Sequence, residues 1–276
     1  HFDMSLTEFK TIFYWEWVHR LWGRMIGFVF LVPFLVFWAR GFLSRRLTLA
    51  LLAIFALGGL QGGIGWFMVQ SGLIDRPSVS PYRLTLHLFC ALLLYGLILW
   101  TALTLRQSAN PVGPHAPAPR FVRIHTIAAL MILVVTIVWG AFVAGLHAGL
   151  IYNEFPTMGT GRLIPAEMWH MAPAWLNLFE NHAAVQFTHR WLAITTVIII
   201  LALGIHGMLA LPRDRSSLFV VLPVVALLQG SLGVLTLLSK INVFAGVAHQ
   251  GVALILLGLI VATLRQVTHR SAPVKT

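Results

Sequence analysis

The sequence predicts an all-α polytopic membrane protein built from two related four-helix bundles, with seven of the eight helices in this chain. Composition, seven long apolar stretches and an internal repeat predict it. Of the 276 residues, 58% are hydrophobic and 10% charged, with a mean hydropathy of +0.85. Soluble domains carry roughly 25% charged residues. Too few charges remain to cover a water-facing surface.

A bilayer core is crossed by about 20 apolar residues in a helix. Residues 12–38, 47–70, 82–105, 123–147, 184–210, 217–238 and 244–264 each meet that length. Between the third and fourth lies a linker, 106–122, carrying Pro111, Pro114, Pro117 and Pro119. Residues 148–183 form the longest non-spanning stretch, with turn signals at Tyr152–Pro156 and Gly159–Arg162. Trp169 and Trp175 suit the headgroup level, where Trp is enriched.

The formal net charge is +11, but the cations sit at helix ends and form no basic run, which argues against nucleic acid. Arg40, Arg45, Arg46, Arg106, Arg120, Arg123, Arg213, Arg215, Arg265, Arg270 and Lys275 fall on one side of a seven-helix trace. Asp3, Glu8, Glu16, Asp75, Glu154, Glu167 and Glu180 fall on the other. The Lys/Arg bias therefore places the N-terminus outside and the C-terminus inside. Cys90 is alone, so the chain forms no internal disulfide.

Two parts of the chain match in order. Glu16-Trp17-Val18-His19-Arg20 pairs with Gln186-Phe187-Thr188-His189-Arg190, and Gly59-Leu60-Gln61-Gly62-Gly63-Ile64-Gly65 with Leu227-Leu228-Gln229-Gly230-Ser231-Leu232-Gly233. His87 pairs with His249, and the offsets are 170, 168 and 162 residues. Segment 123–147 precedes the second copy without a partner before the first. The repeat unit is thus four helices, and an eighth helix is expected upstream of residue 1. The halves are 1–105 and 123–276, joined by the inner linker 106–122.

His19, His87, His189 and His249 lie inside helices near the outer face. Ionisable residues within a bilayer are costly and face a bundle interior with a partner. A single one is ordinarily a hydrogen-bonded packing residue; four at repeated positions and similar depth point to ligation. Zinc lacks a completing cysteine or carboxylate set. Two imidazoles from facing helices can hold a haem iron from opposite sides, so His19 with His87 and His189 with His249 are the expected pairs. The glycines at 58, 59, 62, 63, 65, 230 and 233 suit close helix packing, with room for a haem as the alternative. Arg20, Arg83 and Arg190 lie where propionates would emerge, with snorkelling to the interface as the alternative. His147 ends the fourth helix, while His125 and His206 fall toward the inner face, away from the site.

The halves differ at three positions. Glu16 stands where the second half has Gln186, Arg24 where it has Ile194, and Arg83 where it has Ala245. Proton transfer needs a titratable group within reach, and only Glu16 supplies one. Chemistry is therefore expected in the first half and a permanent electron-transfer cofactor in the second. A Glu16–Arg ion pair that only braces the helix is the plain alternative.

These residues resemble the heme A synthase family, in the form that lacks paired cysteines in its outer loops. The resemblance is carried by Met4–Lys10, Phe13–Arg20, Gly59–Gly62, Tyr82–His87, Leu146–Asn153, Gln186–Arg190 and Ala248–Gln250. It implies an eight-helix oxidoreductase that converts the C8 methyl of haem O to the formyl group of haem A. His189 and His249 would then hold haem B as cofactor, while His19 and His87 receive the haem substrate and Glu16 is catalytic. Arg20, Arg24, Arg83 and Arg190 would be charge partners. The resemblance also implies a bacterial cytoplasmic or mitochondrial inner membrane, with the site near the outer face. Implied partners are a haem O synthase as donor, terminal oxidase assembly factors, an electron acceptor, membrane lipid and a second copy of the chain. A di-haem b-type electron carrier is the competing reading, and the Glu16/Gln186 difference counts against it.

Overall fold

The computed structural model describes residues 5–75, 79–109, 117–159 and 161–268. Among them, seven helices are long and apolar enough to cross a membrane. In chain order they are α1 (Leu6–Ala39), α2 (Arg45–Asp75), α3 (Pro81–Ala109), α4 (Arg120–Gly145), α6 (His182–Ala210), α7 (Ser217–Leu238) and α8 (Val243–Thr268). A short helix, α5 (Asn177–Glu180), lies in the outer loop. The chain is an integral, all-helical membrane protein. Its helices satisfy their own backbone groups, as a bilayer requires.

Most helices extend past the apolar stretches that announce them. α1 begins at Leu6 because Ser5 and Glu8 form a reciprocal capping box: the Ser5 hydroxyl accepts from Glu8 N–H, and the Glu8 carboxylate accepts from Ser5 N–H at 2.9 Å. α3 continues to Ala109 and α4 begins at Arg120. The expected 106–122 linker is therefore shorter, and Pro111 and Pro114 fall outside the described residues, as do Met4, Arg270 and Lys275. α4 stops at Gly145, short of His147, whose φ of +53° is left-handed and breaks the helix before a 3-10 turn at Ala148–Leu150.

The backbone divides into two compact units, His1–Leu94 and Tyr95–Thr276, with the division inside α3. In the first, α1 packs on α2, where Phe30 stacks on Phe55 at 5.8 Å between ring centres. Phe34 is the one residue of α1 that this unit buries among the described residues. In the second, α4 packs on α6 and α8, α6 on α7, and α7 on α8. That closed order is a four-helix bundle. Its centre holds Phe219, Leu222, Ile200, Leu203, Leu256 and Ile260, each essentially inaccessible.

Glycine sets the α6–α7 contact. A Cβ at Gly207 would fall inside the Phe219 ring, and one at Gly204 would overlap Pro223. Small residues let helix backbones approach where no hydrophobic effect drives association. The buried hydroxyls of Thr126, Thr136, Thr196 and Thr263 each donate to the carbonyl four residues back, at 2.7–2.8 Å. The Thr136 and Thr196 hydroxyls also lie 2.7 Å apart, so that one can turn its proton from its own helix to the other, linking α4 to α6.

Candidate functional site

His189 on α6 and His249 on α8 lie in the second unit, close enough to interact electrostatically. His189 Nδ1 lies 3.1 Å from the Thr136 carbonyl of α4. His249 Nδ1 lies 3.2 Å from the Gln229 carbonyl of α7. A carbonyl only accepts, so His189 Nδ1 carries the proton and its Nε2 keeps its lone pair. His249 Nδ1 also meets the Gln229 side-chain amide nitrogen at 3.1 Å, and the two Gln229 groups favour opposite tautomers there. Four helices thus converge on two imidazoles. Such an arrangement can present two neutral nitrogen ligands to one metal centre.

In the first unit, the rings of His19 on α1 and His87 on α3 have centres 6.5 Å apart and planes 70° apart. The Gln61 amide on α2 donates to the His87 carbonyl at 3.0 Å and approaches His87 Nε2 at 3.4 Å. His87 Nδ1 is buried and makes no hydrogen bond. This pair is less fixed than the other.

Glu16 and Arg20 form an ion pair one helical turn apart, both partly accessible. Arg83 lies over the Phe67 ring at 4.8 Å, a cation–π contact. In the second half, Gln186 and Arg190 turn instead to the outer loop. The Gln186 amide donates to the Tyr152 carbonyl at 3.2 Å. Arg190 donates through Nη1 to the carbonyls of Glu154 and Thr157 at 2.8 and 3.0 Å. Through Nη2 it donates to the Tyr152 carbonyl and the Gln186 side chain at 2.9 and 3.3 Å. Its Nε is buried and unpartnered. The same sequence position therefore holds a carboxylate in one half and three loop carbonyls in the other.

That loop is tied down further. The Asn153 amide donates to Gly149 and Leu237 carbonyls at 2.8 and 3.0 Å. Asn181 caps α6, accepting from Ala183 N–H at 2.9 Å and Ala184 N–H at 3.3 Å. The Glu154 carboxylate accepts from Gly159 N–H.

Residues 1–261 match the model of a family described as cytochrome oxidase assembly protein. The chain belongs to this family. A relative from Rhodospirillum centenum named heme A synthase is 53% identical over 262 residues, covering 95% of this chain and 69% of its own length. One of the same name from Agrobacterium fabrum is 44% identical, covering 95% of this chain and 71% of its own length. Another from Rhodopseudomonas palustris is 43% identical, covering 98% and 73%.

Within this member of the family, sequence reasoning passed over one histidine pair and one clamp. His125 on α4 and His206 on α6 bring their Nδ1 atoms to 2.9 Å, while His125 Nε2 lies 3.1 Å from the Ile199 carbonyl. They are 81 positions apart, and no local pattern pairs them. Arg190 was expected beside a ligand; its guanidinium nitrogens serve the loop. Among the described residues, Arg24 makes no hydrogen bond or ion pair.

Proposed function

We propose that the chain is a heme A synthase, oxidising the C8 methyl of haem O to a formyl group to give haem A for cytochrome oxidase assembly. Family membership and the shared name of relatives 42–53% identical over nearly the whole chain support the activity. The single structural observation that carries the reading is the His19–His87 separation. Two imidazoles ligating one ion from opposite sides, at about 2 Å each, have ring centres roughly 6 Å apart. The observed 6.5 Å matches that spacing.

The two halves divide the work. His189, with its Nδ1 proton held by the Thr136 carbonyl, and His249 are the ligands of a resident haem B. His19 and His87 receive the haem substrate. Iron in the resident haem supplies one-electron redox chemistry when bound. The protein's own contribution is orientation and proton handling. Glu16 stands one turn before His19 on α1, and its carboxylate accepts the protons that oxidising a methyl to a formyl releases. Arg20 pairs with that carboxylate from one turn further along α1. Gln186, at the matching position, can neither take nor give a proton, which suits a half that only carries electrons.

The domain halves are 1–105 and 123–276, with the reactive site near the outer face and the C-terminus inside. A haem O synthase and oxidase assembly factors are the partners this role requires. Haem extraction tests the reading: wild type should yield haem B with haem O or haem A. Haem B alone would instead support a di-haem electron carrier. His19→Ala should retain haem B and lose the haem substrate, whereas His249→Ala should lose haem B.

A further inference from the structure

Three of the four membrane histidines rest on a helix in the same way. A Cβ built on Gly140 would stand 3.0 Å from His189 Cε1, one on Gly233 2.9 Å from His249 Cε1, and one on Gly65 2.9 Å from His87 Cε1. Each glycine lies four residues after the residue its histidine engages. His189 bonds the carbonyl of Thr136 and sits over Gly140; His249 bonds the carbonyl of Gln229 and sits over Gly233. His87 sits over Gly65 and meets the side chain of Gln61.

The spacing has a physical cause. In an α-helix the carbonyl of residue i points toward residue i+4, whose Cβ tilts back toward the N-terminus and shields that oxygen. A carbonyl oxygen has two lone pairs, and the helix ladder uses one. Glycine at i+4 uncovers the second, so an imidazole can approach edge-on and donate Nδ1–H without breaking the helix.

We propose that Gly140, Gly233 and Gly65 are positioning residues that open the carbonyls of Thr136, Gln229 and Gln61 to the ligand histidines. Each seat fixes the tautomer that leaves Nε2 for iron and fixes the plane of the ring. In the second half both seats are closed. In the first, the buried and unpartnered Nδ1 of His87 takes the Gln61 carbonyl only when substrate haem pulls the ring into place. The exchangeable site therefore differs from the resident one at its α3 histidine, whose seat is still open.

The inference rests on the haem-binding reading above, and glycines in the same motif provide its control. A Cβ at Gly62 meets nothing within 4 Å, and one at Gly230 makes only an ordinary 3.4 Å contact with Val197. The full chain, purified in nanodiscs and loaded with haem B, is compared as wild type, Gly140→Ala, Gly233→Ala and Gly230→Ala. Low-spin EPR g-values, midpoint potential and haem dissociation are measured. Displacing the ring weakens its Nδ1 bond and lowers its basicity. Gly140→Ala and Gly233→Ala should therefore shift the g-values, raise the midpoint potential and weaken haem binding about 10–100-fold. Gly230→Ala should match wild type.

In parallel, Gly65→Ala should weaken haem O binding while leaving the resident haem spectrum unchanged, and Gly62→Ala should change neither. Two alanine variants on different helices guard against a folding failure in one, and helix content by circular dichroism reports it. If His249→Ala loses haem while Gly140→Ala and Gly233→Ala leave spectrum and potential unchanged, the seat is overturned and the haem site stands. If His249→Ala loses no haem, both readings fall.

Discussion

Replacing Arg190 with leucine should release the outer loop before it disturbs the bundle. The wild-type guanidinium donates to the carbonyls of Tyr152, Glu154 and Thr157 at 2.8–3.0 Å, with a longer fourth bond to Gln186. Hydrogen bonds to a charged group contribute about 1.5–3 kcal/mol each when buried, so the three short ones set an upper bound of roughly 4–9 kcal/mol. The side chain is only half-buried, and water can reach the freed carbonyls. A net loss of about 3 kcal/mol is therefore expected, or roughly two orders of magnitude in the local opening equilibrium. Hydrogen exchange by mass spectrometry in detergent measures it directly. Peptides covering 152–159 should exchange about 100-fold faster in Arg190→Leu, while α7 stays as protected as in wild type. Arg190→Lys keeps the charge but not the forked geometry and should fall between. Unchanged exchange in that segment, together with loss of bound haem, would refute the argument and return Arg190 to the role of a propionate partner.

Glu16→Gln should retain both haems and lose haem A formation, as measured by chromatography of extracted pigments; normal turnover would remove Glu16 from the chemistry. Phe219 fills the space above Gly207, so Gly207→Val should destabilise the second unit by about 1–3 kcal/mol, read as a lower midpoint in thermal unfolding. An unchanged midpoint would mean that the α6–α7 contact yields without cost. Breaking the His125–His206 bond with His206→Phe should leave haem content and product formation unaltered, because the pair lies outside the haem site. Lost haem in that variant would place the pair in the ligand network.

The seven spans and the four membrane histidines were legible because each leaves a local mark: a run of apolar residues, or a costly polar residue where few are tolerated. Helix ends were less legible, since hydropathy marks only the lipid-facing middle of each helix. The Ser5–Glu8 capping box was in the sequence and would have moved the start of α1 outward. Nothing local could reveal Arg190's partners, which are backbone carbonyls 33–38 positions upstream in an irregular loop. The glycine seats were half visible. The Gln-x-x-x-Gly spacing at Gln61 and Gln229 was part of the repeat, but Thr136 and Gly140 share only the spacing, with no glutamine to announce them.

The hydroxyl contact between Thr136 and Thr196 has a bearing on more than packing. Thr136 touches α6 twice, through its side chain to Thr196 and through its carbonyl to His189. The imidazole is thereby coupled to the relative position of two membrane-crossing rods. A change in bilayer thickness that tilts α4 against α6 would stretch the His189 bond.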